Sequence, residues 1–306
     1  MVQENSLKEK LLIICGATAT GKTALSIECA KLLGSEIISA DSMNVYKTLD
    51  IGTAKPSESE KKQVKHHLID VVEPSKTFTV SEYKMLAEPI IHKMHSNDKI
   101  PVICGGTGFY INSILYDLSY GNGEGDLAVR EKYKKLAIEK GNEFVFDILT
   151  QKDPETAKKL HFNDVKRVIR ALEICENGQL KSDIKDSFVP KYQYKAYAID
   201  FDRNELYNRI ETRVDKMIDS GLVFEVKKLI DSGITIKNQC MQGIGYKEIY
   251  SYLNGDMSLD EAIYQIKLNT RHYAKRQITF FKKLPGIEFV KPDKIDVLAR
   301  KITESL

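Results

Sequence analysis

The residues with the plainest chemical reading are Gly16-Ala17-Thr18-Ala19-Thr20-Gly21-Lys22-Thr23. They fit G-x-x-x-x-G-K-[ST] in full. The glycines let backbone N–H groups turn inward around phosphate oxygens. A helix starting there adds partial positive charge. Lys22 supplies a mobile cation, and Thr23 places a hydroxyl where Mg²⁺ would bridge to the phosphates. Such a loop calls for a diphosphate or triphosphate. It does not choose among a nucleotide kinase, an ATPase and a transferase with a diphosphate leaving group.

Asp41, in Ala40-Asp41-Ser42 at the end of a short apolar run, is a candidate general base or outer magnesium ligand; a turn- or cap-forming Asp is the bland alternative. Gly105-Gly106-Thr107-Gly108 follows another apolar run. Thr107 is a candidate to hold a phosphate or orient a base, although a tight strand-to-helix turn has the same composition. Arg209 and Arg213 lie four apart, on one helix face. Either can make charge-assisted bonds to a diphosphate, or pair with Glu205, Glu211 or Asp215 on a solvated face. Asp70 lacks a following acid and is expected to be structural.

Between Ala262 and Ile287 there are six Lys/Arg and no Asp or Glu: Lys267, Arg271, Lys275, Arg276, Lys282 and Lys283. Tyr273, Phe280 and Phe281 are interleaved. A single-signed helical stripe beside aromatics fits an RNA backbone, whereas a solvated helix normally mixes signs. Lys166-Arg167-Val168-Ile169-Arg170 is a second basic patch. Gln242-Gly243-Ile244-Gly245-Tyr246-Lys247 combines an amide, an aromatic and a cation on a glycine turn, which suits an unstacked base and equally a plain loop.

Positioning these groups requires an α/β fold. The sequence predicts strands at Lys10–Gly16, Ser35–Ala40, His67–Val72, Ile100–Cys104 and Tyr192–Asp202, with helices at Thr23–Leu33, Ser81–Met94 and Phe109–Leu118. Ser119–Gly125 is expected to be a loop. From Asp126 to Gly178 only helical spacing is present, broken at Gly141, Asp153-Pro154 and Asn177-Gly178. After Asp202 the pattern is helical again. These patterns predict a phosphate-loop parallel-sheet core of residues 1–119 and 191–306 with a helical insertion at 120–190.

The chain has 306 residues, 42% hydrophobic and 29% charged, an ordinary globular mixture that excludes collagen-like and disordered classes. Apolar runs are far shorter than a membrane span, so no membrane partner is expected. Five scattered cysteines without zinc spacing point to free thiols in a reducing cytoplasm. Net charge is only +3, so any nucleic-acid surface is a local patch.

Together these pieces resemble the tRNA dimethylallyltransferase (tRNA isopentenyltransferase) family of bacterial type. The resemblance rests on GATATGKT (16–23), ISADSMNVYKTLDIGTAKP (38–56), HHLIDVVEP (66–74), GGTGFY (105–110), HFNDVKRVIRALEI (161–174), QGIGYKE (242–248) and RHYAKRQITFFK (271–282), in order. It implies transfer of a dimethylallyl group from dimethylallyl diphosphate to N6 of adenosine 37 of tRNA, by a monomer whose helical insertion holds the anticodon stem-loop. It implies that Gly16 and Thr18–Thr23 bind the diphosphate, with Mg²⁺ on Thr23, and that Arg213 meets the leaving group. It also implies that Asp41–Asn44 (Ser42 and Met43 included), Thr107, Arg130, Lys166–Arg170, Gln242–Lys247, Lys275, Arg276 and Lys282 meet or position the tRNA. Ala17 stands where many members have proline. Three rival readings remain: a small phosphate-loop kinase, a non-catalytic RNA-binding module, and an enzyme that prenylates free adenylate. The kinase would not need the insertion or the basic stripe, the RNA-binding module would not need Lys22 and Thr23, and the adenylate enzyme should lack the large insertion.

Overall fold

In the computed structural model, residues 9–118 and 126–306 are described; the loop expected at Ser119–Gly125 lies outside them. Six short apolar runs form one sheet. The strands are β1 (Lys10–Cys15), β2 (Ile37–Ser39), β3 (His66–His67), β4 (Val102–Cys104), β5 (Gln193–Ile199) and β6 (Ile287–Val290), in the order β3-β2-β4-β1-β5-β6. All pairings are parallel. A parallel sheet is covered on both faces, so its central strand has no polar side; Leu11 through Cys15 are fully buried.

Two strands differ from expectation. β3 is only two residues long because Leu68 and Asp70 adopt left-handed φ of 60° and 57°, which turn the chain out of the ladder. The run rejoins the fold beside Val45, with the Val71 N–H donating to the Val45 carbonyl at 2.8 Å. β6 falls in a region expected to be helical; its four residues IEFV extend the sheet edge beyond β5.

The chain divides into two compact units, Met1–Leu115 with Pro190–Leu306, and Tyr116–Val189. The first holds the sheet and helices α1 (Lys22–Leu32), α2 (Glu58–Lys61), α3 (Val80–His95), α4 (Gly108–Leu115), α9 (Arg203–Asp219), α10 (Leu222–Asp231), α11 (Tyr246–Leu253), α12 (Leu259–Phe281) and α13 (Ile295–Thr303). Leu25, Ile27 and Ala30 of α1 share one core with Leu12, Ile14 and Val102 of the sheet and Leu298, Ala299 and Ile302 of α13. Capping boxes start α3 (Thr79 with Glu82) and α12 (Ser258 with Glu261). α1 has no side-chain cap: Gly21, at φ 86°, precedes it. Its first backbone N–H groups are therefore not taken by a capping side chain and suit an anion.

The second unit contains α5 (Leu127–Lys140), α6 (Asn142–Lys152), α7 (Pro154–Ala157) and α8 (Val165–Glu176). They pack around Tyr133, Val145, Leu149, Val168, Ile169 and Leu172. The breaks at Gly141, Asp153-Pro154 and Asn177-Gly178 lie at helix ends, as expected. Asp153, fully buried, accepts from the N–H groups of Thr156 and Ser182, each at 3.0 Å. Among the described residues no helix is long and apolar enough to cross a membrane.

Candidate active site

β1 lies between β4 and β5, where the chain switches from one side of the sheet to the other. Ligands bind beyond the carboxyl ends of strands at such a switch. The loops leaving β1, β2 and β4 there, with α9 and α12, line a cavity of about 500 Å³. Its wall includes Thr18, Lys22, Thr23, Asp41–Asn44, Gly105, Gly106, Arg213, Tyr273, Arg276 and Gln277.

The phosphate loop is built by backbone constraints. Gly16 has φ 116°, and Ala19, a non-glycine, sits left-handed at 63°. Thr20 Oγ1 and Lys22 Nζ both donate to the Ala17 carbonyl, at 2.9 and 2.5 Å, closing the loop on itself. A lysine ammonium has three donors, so two remain for phosphate oxygens. Burial, the largest influence, pulls the Lys22 pKa down, and the adjacent Arg213 pulls the same way; Cys104 and Asp41 oppose it. Burial also lowers Arg213, with Asp41 opposing. Two desolvated cations facing one carboxylate make a site that an entering polyanion stabilises.

Asp41 forms the turn expected of the bland alternative and also lies on the cavity wall. Its Oδ1 accepts from Met43 N–H at 2.9 Å and Asn44 N–H at 3.4 Å, so it shapes its own turn. The same carboxylate faces the cavity with Lys22 and Arg213. Thr107 fastens the β4 glycine turn to this segment: its Oγ1 accepts from Ser42 N–H at 3.0 Å and donates to Ser42 Oγ at 3.3 Å. The two strand ends approach so closely that a Cβ on Gly105 would lie 2.1 Å from the Ala40 carbonyl oxygen. Burial, then nearby Asp41, pushes the Tyr273 phenol up to about 12, so it stays protonated as a donor within reach of Thr107 and Gln277.

Gln277 is a positioning residue missing from the sequence reading. Its Oε1 accepts from Thr18 N–H at 2.9 Å, and its Nε2 donates to the Gly106 carbonyl at 3.0 Å. Of the expected diphosphate donors, the Thr18 amide is therefore directed to α12. Arg209 donates to the Ala19 carbonyl at 2.9 Å and lies over Phe201, which places it behind the loop. Arg213 reaches the cavity and donates to the Thr53 carbonyl at 3.5 Å.

The basic stripe on α12 is corrected in part. Lys267 pairs with Asp215 at 2.6 Å and Arg271 with Glu211 at 3.1 Å, both acids on α9. The sequence window lacked acids because the counter-charges sit on another helix. Phe281 is fully buried and Phe280 packs on Phe109. Lys275, Arg276, Lys282 and Lys283 are exposed. In the glycine turn, Gln242 is exposed, and Gly243, Ile244 and Lys247 line the cavity. Tyr246 is fully buried and donates to Glu225 Oε1 at 2.6 Å, so its ring is not available to stack a base. Gly245, buried at φ 97°, donates its N–H to Glu248 Oε2 at 2.7 Å.

Within the helical unit, Val168 and Ile169 are core side chains rather than surface ones. Arg130 and Arg170 both pair with the fully buried Glu173, at 3.0 and 2.6 Å. Lys166 and Arg167 are exposed, Arg167 pairing with Asp164 at 3.1 Å. Asp70, expected to be structural, pairs with Lys55 at 2.5 Å.

A phosphate loop leading into a helix with no capping side chain, at the carboxyl edge of a parallel sheet, with a carboxylate and two cations on one cavity, defines a phosphate-loop α/β protein. The IPP transferase family matches residues 44–284, and the chain belongs to that family. It is 46% identical over 292 residues, 94% of this chain and 93% of the relative, to a tRNA dimethylallyltransferase of Acetivibrio thermocellus. The solved tRNA isopentenylpyrophosphate transferase of Bacillus halodurans superposes with TM-score 0.74 at 40% identity, covering 97% of this chain and 95% of that one. A eukaryotic dimethylallyltransferase solved while acting on tRNA superposes with TM-score 0.80 at 28% identity, covering 96% and 78%.

Proposed function

We propose that this chain transfers the dimethylallyl group of dimethylallyl diphosphate to N6 of adenosine 37 of tRNA, releasing diphosphate. The observation that carries the reading is one cavity at the sheet's carboxyl edge walled by Lys22, Thr23 and Arg213 on one part and Asp41 on another. A phosphate-loop kinase would not need the helical insertion or the basic stripe, and an RNA-binding module would not need Lys22 and Thr23 in a full phosphate loop.

The N6 lone pair of adenine is delocalised into the ring, which makes it a poor nucleophile. As the N6–carbon bond forms, the carbon–oxygen bond to diphosphate breaks and its electron pair leaves with the diphosphate. N6 then loses a proton, which Asp41 takes. Oδ1 of Asp41 is committed to its turn, so we assign the proton to Oδ2. Lys22, Arg213 and the N–H groups at the start of α1 stabilise the charge that gathers on the leaving group. The donor set fits magnesium: Thr23 would offer one hydroxyl and Asp41 an outer carboxylate, both hard oxygen donors. When bound, Mg²⁺ neutralises diphosphate charge. On the sheet-bearing unit, exposed Lys275, Arg276, Lys282 and Gln242 are assigned to tRNA contact; the helical unit, with exposed Lys166 and Arg167, is assigned separately to the anticodon stem-loop. The enzyme is assigned to the cytoplasm.

The test incubates the protein with labelled dimethylallyl diphosphate and either unmodified tRNA or AMP. Label on tRNA and not on AMP is expected. Label on AMP alone, or on neither, removes the reading.

A further inference from the structure

Gly52–Ala54 line one wall of the cavity, in a segment, Asp50–Ala54, that belongs to no strand or helix; Thr53 Oγ1 ties back to the Leu49 carbonyl at 2.6 Å, and the segment's backbone N–H groups are held from outside it. Three successive N–H groups, of Asp50, Ile51 and Gly52, converge on the carboxylate of Glu225 at 2.9, 2.8 and 3.1 Å. Such a concave run of backbone donors is an anion-binding shape. Here it is filled by a side chain from the first turn of α10. Tyr246 donates a fourth hydrogen bond to the same carboxylate, at 2.6 Å. Its ring presses on Gly52, where a Cβ would lie 2.6 Å from the ring carbons, so only glycine fits. The next residue, Thr53, gives its carbonyl to Arg213 at 3.5 Å.

We propose that Glu225 and Tyr246 form a positioning clamp that fixes the Gly52–Ala54 wall and, through the Thr53 carbonyl, the Arg213 guanidinium that meets the diphosphate donor. Neither side chain lines the cavity, so both act through the wall they hold. Tyr246 itself sits in the Gln242–Lys247 turn, which Glu248, two residues beyond it, fastens by accepting from Gly245 N–H and from Asn269 Nδ2 of α12 at 2.7 Å each. Burial, with Glu225 beside it, raises the Tyr246 pKa, which keeps the phenol a donor. The identity of the donor rests on the function proposed above.

The test compares the wild type with Glu225→Gln, Tyr246→Phe and Gly52→Ala. Each is titrated calorimetrically with dimethylallyl diphosphate and with inorganic diphosphate, and each is measured for tRNA affinity by filter binding and for thermal melting. Glu225→Gln is expected to weaken donor binding by ~10-fold and Tyr246→Phe by ~3- to 10-fold, because three converging N–H donors lose a charged acceptor or the acceptor loses an anchor. tRNA affinity should stay within about twofold of the wild type. Gly52→Ala should follow Glu225→Gln, because its methyl pushes the ring off the carboxylate. Donor affinity within about twofold of the wild type in folded Tyr246→Phe overturns the clamp, as does parallel loss of donor and tRNA affinity. Should Glu225→Gln fail to fold, Tyr246→Phe, which keeps the packing, decides. Because diphosphate binding is read directly, a wild type that binds but transfers nothing counts against the proposed function and leaves the clamp to its own titration.

Discussion

Asp41 shapes its own turn and is proposed as the base, and a substitution separates the two. Asp41→Asn keeps an acceptor oxygen for Met43 N–H but cannot take a proton. Turnover should fall by roughly 10²–10⁴-fold with donor and tRNA affinities near wild type; an unchanged turnover removes Asp41 as the base. Asp41→Ala should lose the turn as well, visible as weaker tRNA binding. Lys22→Ala should weaken diphosphate binding on the order of 10²-fold in calorimetry, since a desolvated charge partner is lost. At this scale the phosphate loop was legible because all its parts are contiguous. Gln277 was not, because the residue it holds, Thr18, is 259 positions away. Nothing in RQITFF marks the glutamine as anything but a polar helix residue. Tyr246 was misassigned for a related reason: an aromatic on a glycine turn has the same composition whether it faces RNA or is buried against Glu225.

Between elements, ion pairs decide how helices and strand ends are held. Glu36, just before β2, accepts from His67 on β3 at 2.7 Å and from Lys99, ahead of β4, at 2.7 Å. Lys99 and His67, with Lys65 adding to them, pull its pKa down to about 2. Its folded pKa lies below the unfolded value, so its stabilisation is present above the ordinary carboxylate range and is lost as pH falls toward 2. Glu36→Gln should therefore cost about 1–2 kcal/mol at neutral pH, and nothing once both proteins are at or below pH 2, by denaturant melts across pH. A constant difference at all pH values would reject the ion-pair account. Gly105→Ala should destabilise by about 1–3 kcal/mol or more, because its methyl meets backbone and not a movable side chain. The sequence marked five of the six strands. It missed β6, where four residues beside a long helix carry too little periodicity, and it overran β3, where the left-handed Leu68 and Asp70 are unfavourable conformations imposed by the fold.

Across the whole molecule, electrostatics separate RNA contact from structure. Lys275→Ala with Lys282→Ala should weaken tRNA binding and reduce its salt slope by about one to two units. Lys267→Ala with Arg271→Ala should leave the slope unchanged and lower stability by about 0.5–1 kcal/mol per pair, since both cations answer acids on α9. The reverse pattern would return the whole stripe to the RNA face. The sheet order has one more result, in time rather than in space. Lys10 pairs with Gln193, and the last helix, α13, completes the core that α1 begins. At a ribosomal pace of about 5–20 residues per second, the first strand waits roughly ten seconds or more for its second neighbour. During that interval an unpaired strand edge with apolar side chains on both faces is presented to the cell, so nascent chains of this protein should depend on chaperone shelter until the C-terminal third has emerged.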